Sequence, residues 1–306
     1  MNKISISLIV CTRNRPNRIR ALLTSIAGQM DELNHVVIVD SSTDQLTEQL
    51  VHDFGGQNLV YRRSKAGLPY QRNVGIDLIC QGADVPTVIA FLDDDITVPV
   101  DYFKNVALEF GANPNALAIC GFDTNLKVPR SSRGRRLLGL RGEDDFGRVL
   151  NSGIAIPVYE IEMLTQVDWA PGHSLNVRAD VFNKIKFDPS IRMYGEDVDF
   201  CLRLGQVGPI YISPLLGVSH NPEPSGRDGT SAAEAFNAGF RYSLATTHPG
   251  KVSKAMVLVS SVALCLGYFA QGLLRWKTVD LLRSRGLALF LLRVVTGKPV
   301  VQSHTL

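Results

Sequence analysis

The sequence predicts an α/β fold, a mainly parallel sheet with helices on both faces, followed by a separate pair of apolar helices. Three observations predict it. Short β-branched apolar runs alternate with segments of helical spacing from the N-terminus to Asp95. These runs close on polar clusters: Thr12-Arg13, Asp40-Ser41-Ser42 and Asp93-Asp94-Asp95. Near the C-terminus, Ala255–Leu274 carries no charged residue.

Ile4–Val10 has the length and composition of a buried strand. Asn14, Pro16 and Asn17 then break the chain, and Ile19, Leu22, Leu23 and Ile26 recur at helical spacing. Val36–Val39 is the second strand, and Thr43 or Ser42 is placed to cap a helix beginning near Gln45. Leu59–Tyr61 reads as a third strand, Tyr70–Cys80 as a helix and Thr87–Leu92 as a fourth strand. Further on, Trp169–Ser174 reads as a loop and Arg178–Ile185 as a helix. Glu196, Asp197 and Asp199 fall in the first turn of an amphipathic helix, where the helix dipole stabilises acids. In parallel sheets a ligand sits beyond the carboxyl ends of the strands, so the three polar clusters converge on one site. No GxGxxG follows the first strand and no P-loop is present, which argues against a dinucleotide oxidoreductase or a P-loop NTPase.

Composition narrows the class. With 306 residues, 45% of them hydrophobic, the chain holds enough apolar side chain for a large core and excludes a disordered or collagen-like protein. Cys11, Cys80, Cys120, Cys201 and Cys265 stand singly with no CxxC pair, so a disulfide scaffold or zinc ribbon is not expected and a reducing compartment fits. The net +3 is unevenly spread. Residues 251–306 hold eight basic residues against one acid, Asp280, leaving a formal −4 on residues 1–250. An acidic body with a basic, apolar tail suggests attachment to an anionic membrane surface. Nucleic acid is not the expected partner, because the basic residues flank apolar runs instead of forming a polar stripe. The apolar stretch at the N-terminus is too short for a cleavable signal, so a cytosolic body is expected.

The charged clusters carry the chemistry. Adjacent carboxylates at Asp93, Asp94 and Asp95 repel one another unless a cation neutralises them. Hard oxygen ligands beside a substrate phosphate suit Mg²⁺ or Mn²⁺; the alternative is a solvated acidic turn before Pro99. Asp40 can accept hydrogen bonds from a nucleobase or ribose, or serve in a helix cap. Arg72 and Asn73 can reach phosphate oxygens or brace the carboxylates. A carboxylate at the start of the later helix can act as general base if burial tunes it.

With these pieces in place, the sequence resembles family 2 glycosyltransferases of the GT-A fold, and within them bacterial cell-surface polysaccharide and rhamnosyltransferase-like enzymes. The resemblance rests on Ser7–Arg15, Val37–Asp44, Gly67 with Gln71–Gly75, Phe91–Asp95, and Tyr194–Asp199 followed by Arg203-Leu204. It implies a Rossmann-like nucleotide-diphospho-sugar fold with a nucleotide-sugar-binding half over residues 1–125, an acceptor-binding half over 126–222 and a C-terminal helical region over 223–306. It further implies inverting, metal-dependent transfer of a sugar from a nucleotide-diphosphate donor to an acceptor hydroxyl on a glycan or lipid-linked glycan. Carried over residue by residue, Thr12, Arg13, Asp40 and Ser42 contact the donor, with Arg72 near the phosphates and Asp93 and Asp94 against the ribose or sugar. Asp95, or Asp94 beside it, and His220 hold Mg²⁺ or Mn²⁺. Asp197 is the general base with Glu196 close to the acceptor, and the loop carrying Trp169, Gly172 and His173 borders that acceptor. The chain reads Cys201-Leu202-Arg203-Leu204-Gly205 where processive members carry Gln-x-x-Arg-Trp, so transfer of one sugar is expected.

Two regions fall outside this pattern. Lys127–Arg148 is rich in arginine, with Arg130, Arg133, Arg135, Arg136, Arg141 and Arg148, and reads either as a solvated loop or as a lid binding phosphate. Ala255–Leu274 and Val279–Val295 read as a helix pair lying in or dipping into the inner leaflet of the membrane, or packed on the catalytic domain or a second subunit. The competing functions are a sugar nucleotidyltransferase, which would want a glycine- and lysine-rich phosphate loop that is missing here, and a non-catalytic glycan-binding derivative of the same fold.

Overall fold

Strand β1 (Ile6–Thr12) is buried along almost its whole length. Its neighbours are parallel on both sides: β2 (Leu33–Asp40) and β4 (Val88–Asp93), with β3 (Leu59–Arg63) beyond β2. Such strands lie between helix layers, which explains their near-continuous apolar sequences. Leu8 and Val10 face a core shared with Ile19, Leu22, Leu23 and Ile26 of α1 (Pro16–Ile26) and with Phe103, Val106 and Phe110 of α4 (Tyr102–Ala112). Each side chain of that size contributes about 1.5–3 kcal/mol when fully buried. On the opposite face α3 (Leu68–Cys80) crosses β1 at Gly75, where an added Cβ would stand 2.8 Å from Ile9 Cγ2.

The computed structural model describes residues 3–127, 137–140, 145–191, 194–222 and 230–300. They fall into two units, residues 1–128 with 157–222 and residues 129–156 with 223–306. Arg130, Arg133, Arg135, Arg136 and Arg141 of the arginine-rich segment lie outside the described residues.

The first unit is one mixed sheet of order β3-β2-β1-β4-β8-β6-β9-β5, with β7 (Thr165–Val167) pairing β9. Beyond the parallel strands β3, β2, β1 and β4, strand β8 (Ser174–Arg178) runs antiparallel to β4 and also pairs with β6 (Ala118–Asp123). The long β9 (Ile210–His220) follows, and the two-residue β5 (Ile96–Thr97) pairs with its end. The expected helix over Arg178–Ile185 is therefore corrected. Its first residue closes β8, and a short 3₁₀ turn covers Ala179–Asn183. Tertiary pairing decides this, because Leu175 and Val177 point into the core and the buried Asn176 donates to Ile119 O at 2.9 Å. The cap expected from Ser42 or Thr43 is also corrected. Helix α2 (Leu46–Phe54) receives its first-turn bond from Asp44, whose Oδ1 accepts from Leu46 N at 3.1 Å. Helix α5 (Glu196–Leu204) completes this unit.

The second unit contains α6 (Ser231–Thr247), α7 (Lys254–Arg275) and α8 (Thr278–Val295). Thr230 caps α6, its hydroxyl accepting from Ala233 N at 3.1 Å. The buried Arg241 of α6 donates to the hydroxyls of Ser260 and Ser261 on α7 at 3.2 and 3.4 Å. Close approach of α7 and α8 depends on Gly272, where a Cβ would stand 2.6 Å from Leu281 Cδ2. Among the described residues, α7 is the one helix long and apolar enough to cross a membrane.

Candidate active site

The carboxyl ends of β1, β2 and β4 lie in register, with Thr12 opposite Asp40 and Cys11 opposite Asp93. Asp40 is completely buried, and all its bonds are internal. Oδ1 accepts from both the amide and the hydroxyl of Ser42, and Oδ2 accepts from Tyr61 OH at 3.0 Å with Arg63 Nη1 at 3.6 Å. The Ser42 hydroxyl also accepts from Asn14 N at 2.7 Å, while Asn14 Oδ1 accepts from Thr43 N at 2.9 Å. Asn14 sits at φ 56°, in the left-handed region that asparagine tolerates better than most residues. These bonds tie the β1 and β2 loops into one floor. Arg13 is exposed beside it.

At the tip of β4 the three aspartates diverge. Asp94 faces β1: its Oδ2 accepts from Thr12 Oγ1 at 2.7 Å and its Oδ1 from Arg15 Nη1 at 3.1 Å. Burial pushes the Asp94 carboxyl above its ordinary pKa, opposed by Thr12 and Arg15. Asp95 faces the other way, toward His220. The pairing of Ile96 with His220 brings that histidine alongside, and His220 Nε2 lies 3.2 Å from Asp95 Oδ1. No donor is aligned on that buried oxygen as a hydrogen bond. Burial acts to raise the Asp95 pKa, but His220 together with Arg15 outweighs it and the net shift is downward; the same contact raises His220.

Asp93 is the link to α3 and α5. Its Oδ1 lies 3.4 Å from Nη2 of Arg72, a residue buried completely within α3. The same guanidinium donates to Glu196 Oε1 at 3.2 Å and Gly172 O at 3.1 Å, and stacks 5.0 Å over the Phe187 ring. Arg72 therefore braces carboxylates, one of the two roles expected of it. Asn73 likewise serves the scaffold, exchanging side-chain bonds with the backbone of Phe187.

Glu196 and Asp197 open α5 directly after Tyr194 and Gly195, which have φ 25° and 100°. Asp197 Oδ2 accepts from Gly172 N at 3.0 Å and Oδ1 from Val198 N at 2.8 Å. Burial raises the pKa of Asp197 against the opposing charge of Arg72. Burial and then the Asp197 charge raise that of Glu196. A half-buried carboxylate held by two backbone amides, with raised basicity, has the properties a general base needs. Asp199 is occupied by Arg203, 2.8 Å away on the next turn.

The loop from β7 to β8 joins both sides. Gly172 bonds Asp197 and Arg72, while the adjacent His173 accepts from Asp93 N at 3.3 Å through its carbonyl. The His173 ring lies 4.9 Å from that of His220, and burial lowers its pKa to about 4. A Cβ on residue 172 would stand 2.5 Å from Arg72 Nη2, so glycine is required there. Trp169 is buried in the same loop. Residues missed in the sequence are Asn14, Arg15 and Tyr61. Asparagine and arginine in Thr12-Arg13-Asn14-Arg15 were the signal for the first two; Tyr61 left none beyond its place in a strand.

Among the described residues no three His, Cys, Asp or Glu side chains converge closely enough to hold a metal alone. The donor set still fits a hard divalent cation. Asp95 offers a buried oxygen without an aligned hydrogen bond and His220 a ring nitrogen beside it. Mg²⁺-type ions complete such sites with water and substrate phosphate. Both Asp94 oxygens, by contrast, are already engaged.

The model of the family described as glycosyl transferase family 2 matches residues 7–160. The pre-mycofactocin glycosyltransferase of Mycobacterium tuberculosis (strain H37Rv) is 25% identical over 310 residues, covering 97% of this chain and 57% of that protein. The chain thus spans little more than half the length of that relative. Rhamnosyltransferase WbbL of Escherichia coli K12 is 25% identical over 252 residues, 78% of this chain and 90% of that one. Among solved structures, GalNAc-T7 with UDP, GalNAc and Mn²⁺ superposes with TM-score 0.58 at 17% identity, over 79% of this chain and 48% of that one. The mannosyltransferase PcManGT from Pyrobaculum calidifontis, in complex with GDP-Man and Mn²⁺, gives 0.56 at 16% identity, over 100% and 77%.

Proposed function

The chain belongs to glycosyl transferase family 2 and has the GT-A fold, and on that premise we propose that it transfers a single sugar, with inversion, from a nucleotide-diphosphate donor to an acceptor hydroxyl. The acceptor class is a glycan or lipid-linked glycan. One observation carries the reading. The peptide Gly172-His173 touches the carboxylate at the start of α5 and the histidine beside Asp95, so acid–base and phosphate-binding chemistry share one edge of the sheet.

In this reading the floor formed by Thr12, Asn14, Asp40 and Ser42 receives the nucleoside, and Asp93 faces the donor sugar. Asp95 and His220 would hold the divalent cation, Mg²⁺ or Mn²⁺, which would supply positive charge for the departing diphosphate. Asp197 takes the proton of the acceptor hydroxyl as that oxygen attacks the anomeric carbon from the face opposite the diphosphate. Gly172 N and Val198 N keep the carboxylate aimed through that transfer. Arg72 balances the charge of Glu196 and Asp93 on either side. Two relatives that are glycosyltransferases, and two structures of the same fold that bind UDP or GDP-Man with Mn²⁺, support the reading.

A donor-hydrolysis and transfer assay with a panel of nucleotide sugars, with Mn²⁺, Mg²⁺ or chelator, tests it. Nucleoside diphosphate release that needs the cation is the expected result. Release of a nucleoside monophosphate with sugar 1-phosphate, or formation of nucleoside triphosphate and sugar 1-phosphate when inorganic diphosphate is added, would point to nucleotidyl transfer, and no turnover with any donor would favour a binding protein.

A further inference from the structure

We propose that the α7–α8 hairpin docks on an anionic phospholipid bilayer, with α7 lying in the interfacial plane and Trp276 entering the headgroup layer. Val259, Val262, Leu266, Phe269 and Leu273 are all exposed. Their spacing of three and four residues places them within an arc of roughly 80° at the helical repeat of about 100° per residue. The stripe runs nearly the length of α7 and leads into the turn, where Leu274 is 83% and Trp276 93% exposed. Trp276 holds the turn at φ 53°. On α8, Leu282, Leu289 and Leu292 are exposed near Arg285.

The side of α7 opposite the stripe is committed at four positions. Ser260 and Ser261 receive Arg241, Cys265 meets Ser284, and Gly272 packs on Leu281. A helix crossing the bilayer on its own would strip Arg241 of both hydroxyls, whereas a helix lying on the surface keeps every one of these contacts. Charge selects the partner. Lys254 stands at one end of α7 and Arg275 and Lys277 at the other, and α7 contains no acid. Two copies of α7 placed stripe to stripe, in either direction, would set basic ends against basic ends. Anionic headgroups complement them, and an exposed tryptophan between two cations suits the headgroup level.

The full-length protein is tested by flotation with phosphatidylcholine vesicles that contain or lack phosphatidylglycerol, and by tryptophan emission. The chain has two tryptophans and Trp169 is buried, so a blue shift on vesicle addition reports Trp276. Flotation and a blue shift with anionic vesicles, both weakened by salt, are expected. Trp276→Ser and the pair Leu266→Ser/Phe269→Ser should each lower partitioning about tenfold, and Arg275→Gln/Lys277→Gln roughly tenfold or more. Donor hydrolysis in solution should stay at the parental level in all of them, which separates this result from the transferase reading. Parental partitioning in these variants, or no binding to either vesicle, overturns the proposal. So does a dimer in sedimentation equilibrium that Leu266→Ser/Phe269→Ser dissolves, since that assigns the stripe to a second copy.

Discussion

Arg72 Nη1 stands 3.2 Å from Glu196 Oε1, joining α3 to α5 across 124 positions of sequence in a dry interior. Removing one member of a buried pair leaves the other uncompensated, which costs about 3–5 kcal/mol. Arg72→Gln should therefore lose that much stability in urea unfolding at neutral pH. Arg72→Lys should fall between, since an ammonium cannot span Glu196, Asp93 and Gly172 O together. Parental stability in Arg72→Gln would falsify the bracing role.

Asp197→Asn should lower kcat by about 10²–10⁴-fold, and because an amide has only one acceptor oxygen for Gly172 N and Val198 N it should also cost about 1–3 kcal/mol of stability. Because burial raises both Asp197 and Glu196, the acid limb of kcat/KM should lie above the ordinary carboxylate range. Glu196→Gln removes a like charge and should move that limb to lower pH. A limb at the ordinary value, unmoved by Glu196→Gln, would exclude this pair as its source.

His173 should contribute to loss of stability in acid. Its folded pKa is lowered to about 4 by burial, from 6.5, so the unfolded chain binds a proton that the folded one refuses. The contribution is fully present above 6.5 and is lost as pH falls toward about 4, on the order of 3 kcal/mol in total. Thermal melts of the ligand-free protein across that interval should be steeper for the parent than for His173→Asn.

Arg15 lies 3.1 Å from Asp94 and 3.8 Å from Asp95, and is 40% exposed. Its charge opposes a cation at the same tip. Arg15→Gln should tighten Mn²⁺ binding without donor by about fivefold after solvent screening, read by calorimetry. Unchanged or weaker binding would show that Arg15 and the metal do not compete.

Gly172→Ala places a methyl against the guanidinium of Arg72, at 2.5 Å from Nη2. A shift of the Asp197 support by an ångström should reduce kcat by roughly tenfold to a hundredfold. Donor KM should change little, because the nucleoside floor lies in other loops. A rise in KM at constant kcat would place residue 172 in donor binding instead.

Much of this arrangement was legible in the chain. The parallel strands announced themselves because residues buried on both faces leave long apolar runs, and their ends displayed Thr12, Asp40 and Asp93–Asp95. The antiparallel β8 did not: it is only five residues long, its polar Ser174 and Asn176 are buried where a core strand would be apolar, and its extended form comes from β4 and β6. The divergence of Asp94 from Asp95 was equally hidden. Adjacent identical residues look alike in sequence, and only Thr12, Arg15 and His220, from distant segments, distinguish them. Arg72 was placed near the right groups, but its burial depends on Gly172 and Phe187, a hundred positions and more away.

In the proposed reading the peptide Gly172-His173 couples the base at 197 to the histidine beside Asp95, which makes donor and acceptor choice hard to alter one at a time. A library that varies position 173 to accept a new sugar disturbs, through its neighbour, the alignment of the base at 197. Retooling for new donors should start in the β1 and β2 loops, which touch neither.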